Sequence, residues 1–158
     1  MQRVVIKKII SGGQTGVDRA ALDVARDLRI ECGGWCPKGR RAEDGRIPDE
    51  YPLRETDSSV YAERTEKNVI DSDGTLILTV GPLAGGTAYT VGCAQRHGKP
   101  YHVVDLLRTA DPSSARRWLE SRPIAVLNVA GPRHSESPQG YTLAYQFLTR
   151  LLGGDVSV

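Results

Sequence analysis

Aromatic side chains make up only 6% of the 158 residues, with one Phe and two Trp. A surface that binds nucleic acid by stacking bases needs aromatic platforms, so this scarcity argues against such a partner. Net charge is also small, +2, and supplies no basic excess for a phosphate backbone. Cysteine is scarce and odd in number, at three, which implies no disulfide framework and suits a reducing compartment. No run approaches the roughly 20 apolar residues of a membrane span. Lys7 and Lys8 interrupt any apolar core of a signal peptide. The expectation is a cytoplasmic protein bound to neither membrane nor nucleic acid. His97, His102 and His134 show no metal-ligand spacing, and the Cys32-x-x-x-Cys36 pair would need two further ligands to hold zinc. No metal site is assigned.

What is present is ordinary in proportion and unusual in placement. Hydrophobic residues are 39% and charged residues 25%, as expected of one globular domain over residues 1–158. A β-branched run predicts a first strand over residues 4–10. A helix over 18–28 follows, with Ala20, Ala21, Val24, Ala25 and Leu28 on one face. A short strand is expected over 31–35. Residues 36–57 have no period and hold several Pro and Gly, as a functional or mobile loop would. A helix over 59–71 takes Ser58 or Ser59 as its cap. The apolar run 75–80 reads as a strand buried on both faces. A helix to about 97, strands over 101–105 and 124–129, and helices over 113–121 and 141–152 complete the pattern. Strands alternate with helices five times, which predicts an α/β, Rossmann-like doubly wound parallel sheet with helices on both faces. The expected strand order is 2-1-3-4-5. Its ligand crevice would then open between strands one and three.

Two glycine turns would meet at that crevice. The first is Ser11-Gly12-Gly13-Gln14-Thr15-Gly16-Val17-Asp18-Arg19. A strand, a glycine turn and a helix N-terminus in that order suit an anion, because unpaired N–H groups and the helix dipole both face it. Gln14 and Thr15 add donors. The turn is neither the dinucleotide fingerprint nor a P-loop, whose lysine is missing, so ATP hydrolysis is not expected. Arg19 either reaches the phosphate or pairs with a carboxylate. The second turn ends in Gly85-Gly86-Thr87, where Thr87 either meets the ligand or caps the next helix.

Arg64 and Asn68, four residues apart, share a helical face. Lys38, Arg40 and Arg41 stand on the long loop before Glu43 and Asp44, as a closing basic lid or as a solvated charge run. Arg133 follows the fifth strand and is a further candidate for the anion. With that strand at the sheet edge, Arg133 would wall the crevice from a distance. No catalytic residue is assigned.

These blocks resemble one family. The first turn through Asp23, the stretch Gly34-Trp35-Cys36-Pro37-Lys38-Gly39-Arg40-Arg41-Ala42-Glu43-Asp44-Gly45, and Arg64-Thr65-Glu66-Lys67-Asn68-Val69 are similar to the putative molybdenum cofactor carrier proteins. Asp71-Ser72-Asp73-Gly74-Thr75, Gly85-Gly86-Thr87 and Asn128-Val129-Ala130-Gly131-Pro132-Arg133 continue the match over nearly the whole chain. The resemblance implies molybdenum cofactor, a pterin carrying a phosphate, as ligand. The family is similar to a wider Rossmann-like group that includes phosphoribohydrolases, whose turn P-G-G-x-G-T-x-x-E carries a catalytic glutamate. Thr90 stands in that glutamate's place here, and a threonine does not supply the carboxylate of glycosidic cleavage.

The leading expectation is a carrier or sensor that binds a small phosphate-bearing ligand, molybdenum cofactor or a nucleotide. Its phosphate would rest on residues 12–16, with Gly85, Gly86 and Thr87 holding a second polar portion. The alternatives are a nucleotide-processing hydrolase whose carboxylate is not placed, with Asp18, Glu43 and Asp44 as candidates, and a partner-binding module gated by a ligand. The apolar last helix suits either a homo-oligomer interface or its own sheet.

Overall fold

Residues Gly74–Thr79 are buried without a break, which is why they read as a continuous apolar run and why they lie inside a sheet. The computed structural model describes residues 5–153. In chain order the elements are β1 (Lys8–Ile10), α1 (Val17–Asp27), β2 (Glu31–Gly33), β3 (Trp35–Cys36), β4 (Arg41–Ala42), β5 (Gly45–Arg46), β6 (Arg54–Glu55), α2 (Tyr61–Asp71), β7 (Gly74–Thr79), α3 (Gly85–Arg96), β8 (Tyr101–Asp105), α4 (Ser113–Glu120), β9 (Val126–Ala130) and α5 (Gly140–Leu152). The main sheet is parallel with order β2-β1-β9-β7-β8. Helices α1, α4 and α5 pack together, and α2 packs on α3. Right-handed crossovers explain the division, since α1 and α4 carry the chain one way across the sheet and α2 and α3 carry it the other.

The fold class is as expected, but the strand order is not. The last strand does not lie at the edge; β9 sits between β1 and β7. Specific polar contacts hold it there. The Asp73 carboxylate accepts the N–H groups of Ala125 and Val126 at 3.0 and 2.9 Å. Asn128 Nδ2 donates to Thr75 Oγ1 at 3.2 Å on the neighbouring strand. At the end of β9, a Cβ on Gly131 would stand 2.4 Å from the Leu78 carbonyl oxygen and 2.6 Å from Val17, so only glycine lets β9 pass there. Helices leave β9 and β7 toward opposite faces, so the switch point of the sheet lies between these two strands, and β9 separates the first and third predicted strands.

Local boundaries also shift. The first strand is Lys8–Ile10, because its partner β2 is only three residues long. Residues 5–7 precede the strand, Val5 is exposed, and residue 4 lies outside the described residues. The expected 31–35 strand splits at Gly34, whose φ of 127° turns β3 out of the main sheet to pair with β6. Neither Ser58 nor Ser59 caps α2: its N-cap is Val60, and Ser58 Oγ accepts the Val60 N–H instead.

The long loop is ordered by one cation. Arg40, buried, donates to the carbonyls of Ile47, Pro48, Tyr51 and Leu53 at 2.7–3.2 Å. A small apolar cluster of Leu22, Cys36, Ala42, Ile47, Tyr51 and Leu53 packs beneath it. The loop thus stands as a wall beside α1, and Tyr51 and Tyr141 tie it to α1 and α5 by both donating to Asp23.

Candidate functional site

A cavity of about 270 Å³ lies beyond the carboxyl ends of β1 and β9, under the first turns of α2 and α3. That is close to the lower size of small-molecule sites. Of the residues singled out in the sequence, Gly12, Gln14, Arg64, Asn68, Gly86, Thr87 and Arg133 line it. Gly13, Thr15, Gly16 and Gly85 shape the adjoining turns without lining it, and Arg19 and Lys38 also stand outside its lining. Lys38 is exposed.

The first turn is built for close approach. Arg64, buried on α2, donates from Nη1 to the Gly12 carbonyl at 2.8 Å. A Cβ on Gly12 would stand 2.4 Å from that nitrogen. Gly16 has φ 82°, and a Cβ there would lie 2.4 Å from the Pro132 carbonyl oxygen, so the first and third turns interlock. Yet several of the amides expected to face an anion already have partners. The Gly13 N–H donates to Ser11 Oγ at 3.4 Å, that of Gln14 to Asp18 Oδ2 at 3.3 Å, and that of Thr15 to Gln14 Oε1 at 3.0 Å. The Val17 N–H donates to the Pro132 carbonyl at 3.3 Å. The turn presents a carboxylate, that of Asp18, where an open anion nest was expected.

Asp18 is buried and lines the cavity. Burial lifts its pKa from 3.8 to about 6, against the opposing pull of Arg64, the Gln14 N–H, Arg19 and the Gly12 N–H. Neither neighbouring guanidinium pairs with it directly. Arg64 holds the Gly12 carbonyl, and Arg19 holds the Gly13 carbonyl and grips Asp44 with both terminal nitrogens. Arg19 therefore takes the carboxylate-pairing option.

Three loops are latched beside the cavity by Glu43. Its carboxylate accepts from Thr15 Oγ1, the Ser135 N–H and Ser135 Oγ, and its N–H donates to Gln14 Oε1. Partial burial opposes its ionisation, but the hydrogen bonds from Ser135 and Thr15, aided by Arg133, prevail and hold the pKa at about 2. Arg133 Nε lies 3.7 Å from Glu43 and 3.8 Å from Glu136, buried and without a hydrogen-bond partner. Asn68 is fully engaged with the backbone: its amide accepts the Trp35 N–H at 2.8 Å and donates to the Trp35 carbonyl at 3.0 Å, pinning β3 to α2.

The second glycine turn is the more open one. The N-cap of α3 is Ala84, no side chain caps the helix, and Thr87 lies inside it. Thr87 is thus not a cap. Gly86 has open space where a Cβ would stand. The N-terminus of α2 also lacks a side-chain cap, and its Tyr61 and Ala62 line the cavity. Two uncapped helix starts and the Arg64 guanidinium bring donors to this wall, with the Glu136 carboxylate beside Gly85. Thr90, on the next turn of α3, donates to the Gly86 carbonyl at 3.0 Å. The sequence reading gave no ligand role to Tyr61, Thr65, Tyr89, Asn128 or Glu136, which all line the cavity. Only Asn128 carried a signal, as a polar residue inside an apolar strand. Among the described residues, no group of three or more His, Cys, Asp or Glu gathers as a metal site would. No helix of the described residues is long and apolar enough to cross a membrane.

The chain was compared with known proteins. Residues 9–152 match the model of the circularly permutated YpsA SLOG family. A crystal structure of a protein from Syntrophus aciditrophicus, named putative molybdenum carrier protein, superposes with a TM-score of 0.92 at 48% identity, covering 96% of this chain and 98% of that one. No curated protein matches the chain. The family resemblance read from the motifs is borne out.

Proposed function

The chain belongs to the circularly permutated YpsA SLOG family, and from that premise we propose that it is a carrier or sensor that binds a phosphate-bearing, nucleotide-like ligand without cleaving it. One observation carries the reading: the uncapped first turn of α3, with open Gly86, faces the same cavity as the buried Arg64 guanidinium. A phosphate is matched by such donors. It would rest at Gly86 and Thr87 rather than on residues 12–16, where the Gly13, Gln14 and Thr15 amides are already engaged.

The name of the Syntrophus protein suggests molybdenum cofactor as cargo. That molecule asks for phosphate donors at one end and polar groups for a heterocycle at the other. The α3 start and Arg64 suit the first, and Gln14, Asp18 and Asn128 suit the second. A free nucleotide asks for the same groups. Thr90 donates to a backbone carbonyl and offers no carboxylate, which favours holding over cleaving.

Ligand-induced thermal shift tests the proposal, since a ligand at 100 times its Kd stabilises by about 2.7 kcal/mol. A nucleoside monophosphate or a pterin phosphate should raise the melting temperature, and Gly86→Asp should abolish the rise. That substitution meets no steric conflict and places a carboxylate where the phosphate would sit. Release of free base from a nucleotide would replace this reading with a hydrolytic one. If no ligand shifts the melting, a partner-binding module becomes the better account.

A further inference from the structure

Two neighbouring side chains on the cavity wall, Asp18 and Gln14, are buried, and Gln14 has a polar atom without a partner. The Asp18 carboxylate meets only backbone donors, the Gln14 N–H at 3.3 Å and the Gly12 N–H, and both neighbouring arginines are engaged elsewhere. Beside it stands the Gln14 side chain. Its Oε1 accepts the N–H groups of Thr15 and Glu43 at 3.0 and 2.9 Å, which fixes the orientation of the amide. Its Nε2 is then a buried donor with no acceptor. Unmet buried donors and acceptors are rare in folded proteins, and where they adjoin a cavity a ligand is the natural partner.

Resting on the reading of this cavity as a ligand site, we propose that Asp18 and Gln14 select the heterocycle of the ligand, recognising a 2-amino-4-oxopyrimidine edge. The carboxylate accepts the ring N–H and the exocyclic amino group, and Gln14 Nε2 donates to the ring carbonyl. The order donor, donor, acceptor on the ligand mirrors acceptor, acceptor, donor on the wall. Adenine presents a different order, and hypoxanthine lacks the amino group. Guanine and pterins both carry the full edge. With its pKa near 6 the carboxylate is ionised at neutral pH, as this role requires.

Kd values should be measured at pH 7.5 by calorimetry for GMP against IMP, and for a pterin monophosphate against its 2,4-dioxo lumazine counterpart. These pairs differ by the amino group and separate the two sources of the edge. The amino member of whichever pair binds should be favoured about 10- to 100-fold, as expected for a hydrogen bond to a charged group. Asp18→Asn should bring that ratio close to one while inorganic pyrophosphate binds at least as tightly as to wild type, which shows the variant folded and its phosphate subsite intact. Gln14→Glu keeps both acceptor contacts and should weaken only the 4-oxo ligands. Equal binding of both members of a pair overturns the proposal and leaves the binding reading standing. Loss of affinity for dGMP relative to GMP, with no loss for IMP, assigns Asp18 to the ribose and also overturns it. Failure of every phosphate and nucleotide to bind removes the binding reading itself and this proposal with it.

Discussion

Replacing Asp18 by Asn should stabilise the ligand-free protein at neutral pH. Folding carries this carboxyl from water into the cavity wall, where burial lifts its pKa from 3.8 to about 6. A raised pKa means that the folded state holds the proton more tightly than the unfolded state. Above pH 6 the group is ionised in both states, and the folded state bears the full cost of a buried charge. A rise of roughly two units corresponds to about 3 kcal/mol. As pH falls from 6 to 4 the folded protein takes up the proton and this cost disappears. Asn retains an oxygen for the Gln14 N–H and carries no charge. Urea unfolding at pH 7.5 should therefore show Asp18→Asn more stable by up to about 3 kcal/mol, or by about 6–12 °C in Tm. At pH 4 the two proteins should be equal, because both then carry a neutral group. A variant less stable than wild type at pH 7.5, or a gain that persists at pH 4, would refute the reasoning. The combination of higher stability with lost ligand selectivity is what a site held against its own folding energy should show.

Further outcomes can be checked on the same footing. Gly131→Ala places a Cβ 2.4 Å from a backbone oxygen and 2.6 Å from Val17, and should cost about 1–3 kcal/mol in urea unfolding. Arg40→Met leaves four carbonyls without their donor, so it should cost ~3 kcal/mol or more and open residues 37–57 to limited proteolysis. Glu43 has a depressed pKa of about 2, so its latch stabilises the fold above pH 4.5 and is lost as pH falls toward 2. Hydrogen-exchange protection of β4 and β5 should therefore hold from pH 7 to 4, and Glu43→Gln should lower it at pH 7.

The βα units and both glycine turns were legible because their signals are local. An apolar run such as residues 74–79, or the spacing of Ala20, Ala21, Val24 and Ala25, records which face a short segment buries. The place of β9 left no such record. Its pairing with β1 joins Ile9 to Leu127 across most of the chain, and its apolar pattern suits an edge or a centre alike. That placement brings the third turn, with Arg133, to the middle of the crevice. The engagement of Arg19 was equally hidden, since it depends on Asp44 arriving from a loop without period.

The sequence by itself determined the fold class and the family, since each follows from periodicity, turn chemistry and ordered motifs. Only the tertiary structure decided which of the turn amides find partners within the protein. Residues 12–16 carry the sequence of an anion-binding turn, but in the folded chain the Ser11 hydroxyl, the Asp18 carboxylate and the Gln14 amide engage the N–H groups of Gly13, Gln14 and Thr15. At the start of α3 no side chain caps the helix, and Gly86 faces open space. Hydrogen-bond partners are settled by what folds alongside, and a linear pattern of donors does not say which of them remain unmet.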